Sequence, residues 1–251
     1  MRLIPLEVGS IDADLEELIG SPGRRLLPVP AWLIEHPQGI VLFDTGLHPE
    51  LRTSRARLNG AFARSGIDLP PGADLTARLA ARGIRPGDVK VVVFSHLHFD
   101  HCGGTAEVPD ARLIVQAAEW QAGHHPRLVD AGVYNPADFD VGHACSLVDG
   151  MHDVFGDGRV VCVPTPGHTK GHQALRVQLA SGPVVLTGDC VYFREMLDTM
   201  RVPAGAYDAA VQLASMRALR DLEAGGCRLL FGHDLHQLQQ LQRDLATDPA
   251  T

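Results

Sequence analysis

Short apolar runs separated by polar turns recur along the chain and predict buried strands. The runs are rich in Val, Ile and Leu, and most lack the strict alternation of a strand with one solvated face. This composition is typical of strands that are covered on both faces. The pattern predicts strands at residues 26–35, 40–43, 91–94, 113–115, 160–163, 174–179, 184–186 and 229–231.

Helical patterns lie between some of these strands, most clearly over residues 208–224. Apolar residues at helical spacing form one stripe there: Leu213, Met216, Leu219 and Leu222. Asp208 can cap the start of this helix, and Gly225 can end it. A second helix is predicted over 235–245. Strands mixed with helices predict an α/β fold in which helices cover the sheets.

Two segments, 9–28 and 123–158, show no clear period and are rich in Gly, Pro, Asp and His. Both are longer than a simple connection requires, so we expect them to be loops that border a pocket. No repeat, low-complexity tract or linker divides the chain. Residues 1–251 are therefore predicted to form a single domain.

Composition limits the classes of function. The chain has 251 residues, 45% of them hydrophobic, and a formal net charge of -8 that disfavours a nucleic-acid partner. No apolar run approaches the roughly 18 residues of a membrane span, and the first ten residues lack a signal-peptide core. The five cysteines are scattered, which favours free thiols. These features predict a cytoplasmic protein without a membrane partner.

Candidate metal ligands follow four of the predicted strands. The stretch "SHLHFDHCGG" comes directly after strand 91–94, and three later strands also end in turns that carry His or Asp. Because ligands gather at the carboxyl ends of strands in α/β sheets, we expect these side chains to meet. The set comprises His96, His98, Asp100, His101, His168, Asp189 and His233.

The chemistry of these side chains indicates a dinuclear metal site. Imidazole and carboxylate together suit zinc, iron or manganese, and seven ligands exceed what one tetrahedral ion uses. Two ions that share a bridging carboxylate would account for the whole set. Ions about 3.5 to 4 Å apart can hold a hydroxide between them near neutral pH, and that hydroxide is a strong nucleophile toward a carbonyl.

The motifs resemble those of the metallo-β-lactamase superfamily, and within it the quorum-quenching N-acyl-homoserine lactonases. The similar stretches are "SHLHFDHCGG", "TPGHTKGHQ", "GDCVY" and "FGHD", and the likeness extends from Asp44 to Asp234. The resemblance implies an α/β fold, an αβ/βα four-layer sandwich of two mixed β-sheets flanked by helices. It also implies a metal-dependent hydrolase that opens the lactone ring of N-acyl-homoserine lactones through a hydroxide bridging two divalent ions, with Zn²⁺ as the expected metal.

The same resemblance assigns a role to each site residue. One ion would be held by His96, His98 and His168, and the other by Asp100, His101 and His233, with Asp189 between them. Tyr192, three residues after Asp189, would stabilise the tetrahedral oxyanion. Asp100 would also move a proton toward the leaving alkoxide. The expected partner is a small acyl lactone.

Other functions of the same fold remain open at this point. A broader lactonase or a glyoxalase II-like thioesterase would use the same centre, although no cationic anchor for glutathione is evident. Zinc β-lactamases commonly carry cysteine where Asp189 stands, and di-iron oxidoreductases of the flavodiiron type carry glutamate where His98 stands. A nuclease conflicts with the net charge.

Several residues near the motifs have two interpretations. Asp44 could orient a metal-bound histidine or close a turn, and Tyr192 could be a packing residue. Phe99 could touch substrate or seal the core. His172 and His236 are expected beside the ligands or at the surface. The cysteines Cys102 and Cys190 stand where the resembling proteins usually carry a small residue.

Overall fold

The computed structural model describes residues 1–247. Its strands are β1 (Arg2–Asp14), β2 (Arg24–His36), β3 (Gly39–Phe43), β4 (Gly66–Asp68), β5 (Val89–Val93), β6 (Arg112–Gln116), β7 (Cys145–Val148), β8 (His152–Asp153), β9 (Val160–Pro164), β10 (Gln173–Leu179), β11 (Gly182–Leu186) and β12 (Arg228–Leu230). Its helices are α1 (Leu15–Ile19), α2 (Leu75–Ala80), α3 (Phe99–Cys102), α4 (Ala117–Gly123), α5 (Pro126–Asp130), α6 (Pro136–Phe139), α7 (Arg194–Thr199), α8 (Ala209–Ala224) and α9 (Leu235–Thr247). All eight predicted strands and both predicted helices are present.

The strands form two mixed sheets. A seven-stranded sheet has the order β4-β1-β2-β3-β5-β6-β7, and a five-stranded sheet has the order β12-β11-β10-β9-β8. In the first sheet β3, β5, β6 and β7 run parallel, whereas in the second only β11 and β12 do. Because these strands run parallel, their carboxyl ends lie at the same end of each sheet, and so do the chain segments that follow them.

Three apolar clusters fill the spaces between the layers. The inner faces of the two sheets meet in one cluster that includes Phe43, Val93, Leu175 and Leu186. The outer face of the larger sheet packs against helices α2, α4 and α6, and the outer face of the smaller sheet packs against α7 and α8. Helix, sheet, sheet and helix layers follow one another, so the predicted four-layer sandwich is confirmed.

The prediction that residues 9–28 form an irregular loop is wrong. This segment contains most of β1, the short helix α1 and the start of β2, and β1 pairs antiparallel with β2. The strand signal is hidden because the register shifts between Glu7 and Ser10 at a bulge. Gly9 adopts φ +86° there, and a Cβ would lie 2.7 Å from Leu47 Cδ1. Glycine at a bulge and prolines in a long strand both resemble loop chemistry in the sequence.

The segment 123–158 is also more regular than predicted. It contains the short helices α5 and α6 and the strands β7 and β8, of which β7 closes one edge of the seven-stranded sheet. These elements are too short to give a periodic signal of their own. No helix within residues 1–247 is long and apolar enough to cross a membrane.

Helix α8 begins as its sequence predicts. The Asp208 carboxylate accepts hydrogen bonds from the backbone N–H groups of Ala210 and Val211, at 3.0 and 3.1 Å. The helix ends at Ala224, directly before Gly225. Met216 and Leu219 are buried against the smaller sheet, and the rest of the predicted stripe is half-buried in the same cluster.

We expect Asp208→Ala to lower the free energy of unfolding by about 1 kcal/mol, because two backbone N–H groups lose their cap. Chemical denaturation would measure this change. Asp221→Ala, on the exposed face of the same helix, is the control and should change stability by less than about 0.5 kcal/mol. Equal effects of the two substitutions would contradict the capping role.

Candidate metal centre

The structure brings together all seven side chains that the sequence analysis selected as metal ligands. Each follows a strand at the same end of the sheets: two after β5, two in α3, and one after each of β9, β11 and β12. All are buried: His96, His98, Asp100, His101, His168, Asp189 and His233. The packing of the two sheets against each other therefore creates one enclosed polar cluster.

Three histidines form the first group. His96 Nε2 lies 2.9 Å from His98 Nδ1, and His168 Nε2 lies 3.2 Å from each of these atoms. Nitrogens held about 2.0–2.1 Å from a shared tetrahedral ion would be separated by about 3.3 Å. A neutral imidazole has one N–H donor, so a triangle of three ring nitrogens is poorly satisfied by hydrogen bonds alone. This spacing fits a metal ion.

Asp100, His101 and His233 form the second group. Asp100 Oδ2 lies 3.4 Å from His101 Nε2 and 3.9 Å from His233 Nε2. His101 Nε2 is buried and makes no hydrogen bond. A buried ring nitrogen without a hydrogen bond is costly, and a metal ion would satisfy it. The two groups together can hold two ions.

Asp189 lies between the two groups and faces both. Its Oδ1 is 3.2 Å from His101 Nε2 and 3.0 Å from His233 Nε2. Its Oδ2 is 3.4 Å from His168 Nε2 and 3.9 Å from His96 Nε2. One carboxylate thus directs a different oxygen to each group, which is the arrangement of a bridging ligand.

The electrostatics of the first histidine group and of Asp189 favour metal-binding protonation states. Burial lowers the pKa of His98 to about 4, and burial with neighbouring imidazoles lowers the pKa values of His96 and His168. These rings are therefore neutral near pH 7, with lone pairs available for a cation. Burial opposes ionisation of Asp189, but His101 and His233 outweigh it and hold the pKa of that carboxyl well below its ordinary value.

Asp44 contacts the candidate ligand His101, as the first of its two interpretations expects. Its carboxylate accepts hydrogen bonds from His101 Nδ1 at 2.8 Å and from the Ser95 backbone N–H at 2.7 Å. Asp44 adopts φ +62° to reach this position. His233 is held similarly, since its Nδ1 lies 2.7 Å from the Pro28 carbonyl oxygen. Both contacts leave Nε2 of the ring facing the cluster.

His172 and His236 differ in position. His172 is buried, and its Nε2 accepts a hydrogen bond of 3.0 Å from the Asp189 backbone N–H. Its Nδ1 lies 3.1 Å from the Thr165 carbonyl oxygen and donates a hydrogen bond to it. The proton is therefore on Nδ1, and Nε2 is free to accept. His172 therefore orients the loop that carries the Asp189 carboxylate. His236 is exposed on α9.

Close packing fixes the loop that carries His168. The preceding Gly167 adopts φ +128°, and a Cβ there would lie 2.2 Å from the Gln212 backbone nitrogen in α8. Only glycine permits this approach of loop and helix. The helix also binds the loop, because the Asp208 N–H donates to the Gly167 carbonyl oxygen.

Tyr192 is buried beside the cluster. Its ring centroid lies 5.2 Å from that of His233 and 5.9 Å from that of His168. Burial and the nearby carboxylates raise the pKa of Tyr192 well above its ordinary value, so its hydroxyl stays protonated and can donate a hydrogen bond. Phe99 packs in an apolar cluster and contacts Phe62, at 4.8 Å between ring centroids.

The remaining histidines of the segment 123–158 lie outside the cluster. His124 contacts the Trp120 carbonyl oxygen and Asp140, and His143 contacts the Val108 carbonyl oxygen. Cys102 and Cys190 are buried, and burial raises the pKa of Cys102. These thiols pack beside the site as small apolar groups.

Sequence reasoning missed one buried acid, Glu119 in α4. It is 0% exposed and accepts hydrogen bonds from two segments that carry ligands. No spacing links it to the histidine motif, so the sequence alone gives no signal for it.

A cleft of about 510 Å³ opens beside His233, and Arg25, Phe193 and Leu235 are among its lining residues.

Comparisons with known proteins agree with this geometry. The family model of the metallo-beta-lactamase superfamily matches residues 24–233. The chain is 34% identical to the N-acyl homoserine lactonase AttM of Azorhizobium caulinodans, over 93% of each chain. It is 30% identical to the N-acyl homoserine lactonase AiiA of Bacillus thuringiensis subsp. kurstaki, over 86% of each.

Solved structures give the same result. An N-acyl homoserine lactone hydrolase with the product N-hexanoyl-L-homoserine at its catalytic metal centre matches with a TM-score of 0.84, at 27% identity over 95% of each chain. A variant of AiiA from B. thuringiensis with N-decanoyl-L-homoserine at its active site also gives a TM-score of 0.84, with the same identity and coverage. This chain belongs to the metallo-β-lactamase superfamily, and within it to the family of the N-acyl homoserine lactonases.

Proposed function

We propose that this protein is a metal-dependent hydrolase that opens the lactone ring of N-acyl-homoserine lactones. The observation that carries the proposal is the position of Asp189, whose two oxygens face two separate groups of candidate ligands. The similarity to N-acyl homoserine lactonases over 93% of the chain supports this substrate class.

We propose two zinc ions as the cofactor. His96, His98 and His168 would hold one ion, and Asp100, His101 and His233 the other, with Asp189 shared. A set of imidazole and carboxylate donors suits zinc. When bound, two divalent ions lower the pKa of a water molecule and polarise a carbonyl group.

Two residues of the chain would act directly on the substrate. Tyr192 would donate a hydrogen bond to the carbonyl oxygen as negative charge develops there. Water adds to the carbonyl carbon to give a tetrahedral oxyanion, whose collapse breaks the ring C–O bond, and the leaving alkoxide needs a proton. Asp100 would take a proton from the attacking water and deliver it to the alkoxide, since its carboxylate lies at the second group. The product is the ring-opened acyl-homoserine.

We also propose a cytoplasmic location and a single domain over residues 1–251. All five cysteines are free thiols, three of them buried, which supports a reducing compartment. The net charge of -8 supports a small-molecule substrate rather than nucleic acid.

A substrate panel tests the proposed reaction. It contains short- and long-chain acyl-homoserine lactones, a simple γ-lactone, S-lactoylglutathione and a cephalosporin, offered to protein of known metal content. We expect opening of the acyl-homoserine lactones with the highest kcat/KM. Preferential cleavage of S-lactoylglutathione or of the simple lactone by protein with two ions per chain would overturn the substrate assignment and leave the metal centre in place.

A further inference from the structure

Glu119 is a buried carboxylate without a part in the proposed reaction. It is 0% exposed, and burial raises its pKa. Its Oε1 accepts hydrogen bonds from the Leu97 N–H at 3.1 Å and the Tyr134 hydroxyl at 3.0 Å. Its Oε2 accepts from the Thr169 hydroxyl at 2.7 Å and the Gly171 N–H at 2.9 Å. Burying such a group is costly, and four aligned donors are an unusual concentration for one side chain.

All four donors belong to segments that carry or touch the first histidine group. Leu97 stands between His96 and His98, and Thr169 directly follows His168. The ring of Tyr134 lies 5.5 Å from the ring of His98, measured between centroids. Glu119 thus joins the loop after β5 to the loop after β9, and these loops supply all three nitrogens of that group.

The second group is held by other contacts. Asp44 binds Nδ1 of His101, and the Pro28 carbonyl oxygen lies against Nδ1 of His233. None of the four hydrogen bonds to Glu119 involves these residues. Removing the Glu119 carboxylate should therefore disturb the first group far more than the second.

We propose that Glu119 is a positioning residue for the metal ion held by His96, His98 and His168. The inference rests on the ligand assignment in the proposed function. Glu119 acts through its hydrogen bonds, which fix the separation of the two loops before an ion binds. A preformed site binds its ion more tightly because less order must be created on binding.

Glu119→Gln is the most informative substitution because it conserves shape. One carboxylate oxygen becomes an NH₂ donor. The hydroxyls of Thr169 and Tyr134 can rotate and accept from this donor, but a backbone N–H cannot. In either orientation of the amide, therefore, the N–H of Leu97 or of Gly171 loses its acceptor.

The experiment measures release of Zn²⁺ from the fully loaded full-length protein as a chelator is added. In Glu119→Gln we expect one of the two ions to leave at a 10- to 100-fold lower chelator concentration than in the parent, a range typical of lost ligand-supporting contacts. The other ion should leave as in the parent. His168→Ala identifies the ion, because this substitution should remove the ion of the first group. The double variant of Glu119→Gln and His168→Ala should then release its remaining ion at the same chelator concentration as His168→Ala alone.

Asp138→Asn is the matched control. Asp138 is 3% exposed, and it binds Arg57 instead of a ligand-bearing loop. Both ions should leave this variant as they leave the parent. Thr169→Val removes a single donor to Glu119 with little change of shape, so it should weaken the same ion less than Glu119→Gln and serves if that variant does not fold.

Two results would overturn the inference. Parental release of both ions from Glu119→Gln and Thr169→Val would show that the hydrogen bonds do not position the site. Equal weakening of both ions would indicate a general structural role. A parent protein that binds fewer than two ions would overturn the ligand assignment itself, whereas a two-ion parent that opens no acyl-homoserine lactone would leave this test intact.

Discussion

Asp189→Ala is expected to lose both metal ions and measurable lactone hydrolysis together. The Asp189 carboxylate is the shared member of the two groups: Oδ1 faces His101 and His233, and Oδ2 faces His168. Loss of a contact that only supports a ligand lowers metal affinity by about 10- to 100-fold, so loss of a shared ligand should lower it further.

The Asp189→Ala measurement combines metal counting with kinetics on one preparation. Asp138→Asn again serves as the control. It removes the charge of a buried carboxylate that binds Arg57 and lies outside the candidate ligand set. We expect the control to keep two ions per chain. Retention of two ions and full turnover by Asp189→Ala would contradict the bridging assignment.

Tyr192→Phe is expected to keep both ions and to lower kcat by about 100-fold, with little change in KM. The substitution removes only a hydroxyl, and the ring can still pack against His233. Loss of a single oxyanion donor typically costs about 10² to 10³ in kcat, and the lower end applies because metal ions would share the charge.

Steady-state kinetics with an acyl-homoserine lactone would measure the effect of Tyr192→Phe. Tyr207→Phe is the matched control, because Tyr207 is 61% exposed and lies outside the candidate ligand set. Its kinetics should equal those of the parent. If Tyr192→Phe also behaves like the parent, Tyr192 is a packing residue and the oxyanion needs another donor.

The central strands could be predicted because their signal is local. Each parallel strand is a short apolar run ended by a turn, as in residues 91–94, and burial on both faces makes the run continuous. The sequence does not predict strand β1 and assigns the start of its partner β2 to a loop, because the regularity of these strands lies in their pairing. Pro28 pairs with Ser10 across a bulge, which no local pattern reveals.

The residues of the site divide in the same way, into those with a local sequence signal and those without one. The seven candidate ligands could be selected because each follows a strand directly and four of them lie within six residues. The residues that support them could not, because their contacts are distant in the chain. Glu119 binds Leu97 and Gly171 across 22 and 52 residues, and Asp44 binds His101 across 57. Strand pairing within the larger sheet and the packing of the two sheets bring these residues together.

Reversible metal dependence of lactone opening tests the central claim most directly. Hydrolysis of N-hexanoyl-homoserine lactone would be followed in one preparation that holds two ions per chain, after the ions are removed by a chelator, and after Zn²⁺ is restored. The account predicts that turnover disappears with the ions and returns as the second equivalent binds. Turnover that persists in protein without metal, or that never appears in protein with two ions, would contradict it.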